Sequence, residues 1–175
     1  MSGSKAASGW CPMIIPSQES ISVEFKSDVR RLSDDVILDT VVAFENTNGG
    51  VLYLGVEDDG TPTGVHKTHR DATRLAAFIA NKTVPPVSVR VSPEMVSVAD
   101  GKTMVIAVEV PKSSAVVATA SGKMLRRRVK FDGAPESVPM YPHEIVSRLS
   151  KLRSYDYSAV AAPGATVEDL DPNEM

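Results

Sequence analysis

Cysteine is nearly missing from this 175-residue chain: Cys11 stands alone, which excludes an internal disulfide framework and a cysteine-based zinc site. That scarcity suits a reducing cytoplasm, the compartment we expect. Long apolar runs are missing too. None approaches the roughly 20 residues that a membrane-spanning helix needs, and the opening Met1–Gly9 lacks the apolar stretch of a signal peptide. Nor is there an excess of positive charge. The 19 Lys+Arg against 22 Asp+Glu leave a formal charge of −3, which excludes a uniformly basic nucleic-acid binder but leaves room for a local basic patch. No internal repeat is present, and Asn48-Gly49-Gly50 is not a phosphate loop, because it lacks the following Gly-Lys-Ser/Thr and follows a helix rather than a strand. What remains is globular: 42% hydrophobic and 23% charged residues are close to average, so wholesale disorder is excluded, and the length fits one domain with tails.

The pattern along the chain predicts the elements. Residues 1–16 read as a flexible leader. Ile21–Lys26 alternates apolar and polar residues at the period of a half-buried strand. Ser33, followed by Asp34 and Asp35, opens a helix that Asn48-Gly49-Gly50 stops. Val51–Val56 is apolar almost throughout and predicts a central strand covered on both faces. Leu75, Phe78 and Ile79 mark a second helix that Pro85-Pro86 prevents from continuing. Two alternating runs joined by Ala99–Lys102 predict a hairpin, since Asp-Gly between such runs is its strongest short signal. A further strand pair is expected from Val116–Thr119 and Met124–Val129, turning at Ser121-Gly122. A third helix then follows Pro142 through Ile145, Leu149 and Leu152. From residue 154 onward the chain reads as an acidic tail or linker. The order βαβαββββα predicts an α+β domain with a mixed sheet over residues 17–153.

Three clusters could carry chemistry. The first is acidic: Glu19, Glu24 and Asp58. A right-handed strand–helix–strand crossover would make the strand of Glu24 a parallel neighbour of the one ending near Asp58. Glu19 joins them only where the chain bends at Ser20–Ser22, because an odd offset along a strand places side chains on opposite faces. Three converging carboxylates would suit Mg²⁺ or Mn²⁺ and metal-assisted phosphodiester hydrolysis. The plainer alternative makes Glu19 a solvated loop residue, Glu24 a partner of Lys26, and Asp58-Asp59 ordinary turn residues.

The second cluster is basic. Lys123–Lys130 carries Lys123, Arg126, Arg127, Arg128 and Lys130 with no acid. In a strand Arg126, Arg128 and Lys130 share one face and Arg127 the other. Such a stripe matches phosphate oxygens, or else is a charged edge that discourages aggregation. The third cluster is His66, Lys67 and His69, read as polar residues at a helix start. His143 belongs to the first turn of the last helix.

Glu19–Lys26, Ala43–Gly50, Leu54–Gly60 and Gly64 together resemble the Schlafen AlbA-type domain, and the likeness continues through Asp100–Lys102, Val108–Pro111, the Arg126–Arg128 strand and Pro142–Ile145. The resemblance implies a nucleic-acid-binding domain (DNA or structured RNA) of a transcriptional regulator or helicase-related protein. Bacterial members carry this domain at the start of longer chains, so this chain looks like such an N-terminal piece. The resemblance also implies an alternative, a divalent-metal-dependent endoribonuclease with Glu19, Glu24 and Asp58 as catalytic metal ligands. An ATP-binding module is the third reading. Under the first, Lys26, Lys123, Arg126, Arg127, Arg128 and Lys130 contact nucleic acid, and a homodimer supplies the surface that one lobe lacks.

Overall fold

A computed structural model describes residues 14–151, and the elements run β1 (Val23–Lys26), α1 (Asp34–Glu45), β2 (Gly50–Leu54), α2 (Ala72–Asn81), β3 (Thr83–Val84), β4 (Arg90–Val98), β5 (Gly101–Val110), β6 (Ala118–Thr119), β7 (Leu125–Val129), β8 (Pro135–Pro139) and α3 (Pro142–Lys151). This is the expected α+β class. The leader up to residue 13 and everything from Leu152 onward, the acidic tail included, lie outside the described residues.

The strand–helix–strand unit forms as its pattern predicts. β1 pairs parallel to β2, with Glu24 opposite Leu52 and Lys26 opposite Leu54, and α1 makes the crossover. β5 and β4 complete a four-stranded sheet in the order β1-β2-β5-β4. Both faces of β2 are covered. Leu52 and Leu54 meet Ile37, Val41 and Phe44 of α1, while Tyr53 packs with Phe25, Val56 and Val105 on the other side. The Phe25 and Tyr53 rings meet edge to face at 5.9 Å.

Ser33 holds the N-cap position of α1, but its hydroxyl caps nothing; its carbonyl accepts the Val36 and Ile37 N–H groups. At the other end Gly49 adopts φ +76°, and a Cβ there would stand 2.7 Å from the Val110 carbonyl oxygen. A Cβ on Gly50 would strike the Phe44 ring at 2.6 Å. Both glycines are therefore demanded by packing between α1, β2 and β5. The β4–β5 hairpin turns at Ala99-Asp100, with Val98 opposite Gly101.

Two departures from the sequence reading concern short strands. The expected pairing of the 116–119 segment with the 124–129 segment does not occur: β6 pairs antiparallel to β3, and β7 pairs antiparallel to β8. Among the described residues eight strands form where six were expected. β8 escaped notice because prolines occupy both of its ends, and proline within a short run argues against a strand except at an edge. The β7–β8 ribbon is that exception, a two-stranded sheet of its own beside α1.

Candidate nucleic-acid interface

The chain turns at Ile21-Ser22, where Ser20 bridges Val23, and this bend brings Glu19 back alongside β1. Its carboxylate oxygen accepts the backbone N–H of Phe25 at 2.8 Å. Val51 and Gly55 donate to the Ser22 and Lys26 carbonyls, so the backbone groups of the even residues of β1 face β2 and those of Val23 and Phe25 face away from it. Each outward backbone group is taken. Val23 exchanges two hydrogen bonds with Ser20, Phe25 donates to Glu19, and the Phe25 carbonyl accepts the Lys26 ammonium at 3.0 Å. Glu19 thus closes the rim of the sheet.

Glu24 is buried between two cations. One carboxylate oxygen meets Lys26 at 2.6 Å and the other meets Arg127 at 2.6 Å. Asp58 is exposed in the turn that Gly60 N–H closes onto the Glu57 carbonyl. It is Glu57 that reaches back toward β1, accepting the Ser27 and Thr63 hydroxyls. The three acids therefore have three separate environments. Among the described residues no group of three or more His, Cys, Asp or Glu could hold a metal ion. A site for Mg²⁺ or Mn²⁺ needs carboxylate oxygens converging on one point, and both Glu24 oxygens are already paired with cations.

The basic stripe divides along its strand alternation. Arg127 points inward with its side chain 1% exposed, bonds the Ser20 carbonyl and the Ser137 hydroxyl, and lies 5.1 Å from the Phe44 ring centre. It joins the ribbon to the domain and is no surface contact. Arg126 pairs with Glu144, Arg128 with Glu136, and Lys123 with Asp39, which holds the Lys123 ammonium pKa above its ordinary value. Arg128 remains half-exposed, and Lys130 is exposed past the end of β7.

Beside Lys130 stands the residue that charge counting missed. Phe131 is fully exposed, and Val129 is 55% exposed. They occupy the tip of the ribbon, where Lys130 and Gly133 close the turn by hydrogen bonds to Ala134 and Lys130. The signal was present in the sequence as an aromatic ring next to the last cation of the run.

The histidine loop has a different purpose from a helix start. Asp28, fully buried, accepts the Leu32 N–H at 2.7 Å, the His66 N–H at 2.8 Å and the His69 ring nitrogen at 2.9 Å, stapling the β1–α1 loop to the loop before α2. His143 lies in the first turn of α3, stacked 6.0 Å from Tyr141.

Among the described residues no helix is long and apolar enough to cross a membrane. The crystal structure of the DIP2311 protein from Corynebacterium diphtheriae is similar over 87% of this chain, with a TM-score of 0.58 and 23% identity, a likeness of fold. The match takes in 31% of that protein, so this chain spans about a third of its length. Residues 19–131, more than half the sequence, match the model of the Schlafen, AlbA_2 family, and the chain belongs to that family.

Proposed function

We propose that this domain binds nucleic acid through the outer side of the β7–β8 ribbon. The observation that carries this reading is the ribbon tip, where Arg128 and Lys130 lead into the fully exposed Phe131 on a closed turn. Cations beside an exposed ring suit a strand whose phosphates meet the charges and whose base stacks on the aromatic face. Such stacking contributes about 1–3 kcal/mol per base. The family resemblance supports the same reading. In this view the domain anchors a regulatory protein to DNA or structured RNA and works as a homodimer.

The endoribonuclease reading draws less support, because Glu24 is neutralised by Lys26 and Arg127. The ATP-binding reading has no phosphate loop behind it. The test is anisotropy of labelled tRNA and duplex DNA, each with Mn²⁺ or with chelator. The expected result is salt-sensitive binding without cleavage. Arg128→Ala with Lys130→Ala should reduce the slope of log affinity against log salt by about 1–2. An unchanged slope in a folded variant refutes the ribbon as the interface, and Mn²⁺-dependent cleavage restores the nuclease.

A further inference from the structure

A second feature lies between α3, β7 and the segment after β5. A cavity of about 440 Å³ is walled by Lys112, Arg126, Arg148 and Lys151, with His143 beside them and Glu144 as the acid in its lining. Four cations against one carboxylate leave three formal positive charges around a volume large enough for a small ligand. Glu144 is already engaged, pairing with Arg126 and accepting the Tyr141 N–H at 2.9 Å. Arg148 is held in place by the Glu45 and Ser113 carbonyls at 3.0 and 3.2 Å, with the buried Glu45 carboxyl behind it. Arg126 and Arg148 also each keep a buried Nε without a hydrogen-bond partner among the described residues. Buried donors of this kind suit an anion.

We propose that this cavity binds a phosphate monoester of nucleotide size. A dianionic phosphoryl group can be met from several directions at once by the two arginine forks and the two lysine point charges. The chemistry is shared by a free mononucleotide and by the 5′-phosphorylated end of a strand. Lys112 and Lys151 are exposed, Lys112 bonding the Asn48 side-chain oxygen at 3.2 Å, so they can be removed with the fold intact. The site is independent of the ribbon tip, which it does not include.

The test is calorimetry on the full chain with four probes: adenosine 5′-monophosphate, adenosine, and one short single strand with either a 5′-phosphate or a 5′-hydroxyl. The phosphorylated member of each pair should bind at least about tenfold more tightly. Lys112→Ala with Lys151→Ala should erase that preference without lowering Tm. Glu144→Gln, which removes the acid and keeps an acceptor for Tyr141, should increase it. Preference seen with both pairs assigns the site to free nucleotides as well as ends; preference confined to the oligonucleotide assigns it to strand ends. Absence of any phosphate preference, or a preference untouched by the lysine variant, overturns the proposal. Arg128→Ala with Lys130→Ala should leave the preference in place, so failure of the ribbon and failure of the cavity are read separately.

Discussion

Arg127 of β7 and Glu24 of β1 form an ion pair at 2.6 Å, with side chains 1% and 11% exposed. The pair fastens the ribbon to the edge of the main sheet, since the same guanidinium holds the Ser20 carbonyl and Ser137 hydroxyl and lies over Phe44. Removing Glu24 leaves Arg127 buried without a carboxylate, so Glu24→Ala should cost about 3–5 kcal/mol in denaturant unfolding. Arg127→Ala, which leaves Glu24 its Lys26 partner, should cost less. The double variant with Glu24→Ala should cost less than the sum of the two single changes. A fully additive pair would show that the two residues act separately.

Mn²⁺ and Mg²⁺ provide the complementary check. With both Glu24 oxygens paired, added metal should leave Tm of the wild-type chain unchanged. A rise that Glu24→Gln abolishes would mean that the acids regroup around an ion.

Glu45, buried at the end of α1, has its pKa raised chiefly by desolvation, against smaller lowering contributions from Ser113 and Arg148. A raised carboxyl pKa means that its stabilising contribution is complete below the ordinary value of 4.5 and is lost as pH rises through the folded value. Glu45→Gln should thus raise Tm at pH 7 relative to wild type, and the advantage should shrink below pH 4.5. Thermal melts across that window check the sign.

Glu144 behaves oppositely. The Arg126 guanidinium, followed by the Tyr141 N–H, holds its pKa below the usual carboxylate range. Its ion pair contributes above 4.5 and is lost as pH falls through the folded value, freeing Arg126. The Glu144 carboxyl resonance, followed by NMR, should titrate below 4.5, and Arg126→Ala should return it toward that value.

Glu19 accepts one backbone N–H on an outer rim. Glu19→Ala should cost about 1 kcal/mol, and Glu19→Gln, which keeps the acceptor, much less. Equal losses in both variants would point to its charge instead.

Much of this fold is legible in the sequence because its signals are local. Alternation in Ile21–Lys26, the apolar Val51–Val56 run and Asp-Gly at 100–101 each specify their own element. Pairings between short strands are not legible that way. β6 and β7 adjoin in sequence, yet β6 is claimed by β3 and β7 by a strand framed by prolines. The candidate sites divide on the same principle. Alternation correctly separated Arg127 from Arg126 and Arg128, but nothing local shows that Glu24 awaits Arg127, or that Lys112, Arg126 and Arg148 enclose one volume. Burial decided the roles of Arg127 and Asp28, and it is a property of what the rest of the chain places opposite them.

The occupied rim of β1 gives the sheet a direction of growth. Ser20, Glu19 and Lys26 leave no backbone group on that side to receive another strand, whereas β4 at the far side is hydrogen-bonded to β5 alone among the described strands. The other edge strand of this sheet is β4 (Arg90–Val98), where Pro93 offers no N–H to an added strand. An addition at that edge extends the sheet away from β1, leaving the ribbon that Arg127 tethers there uncovered.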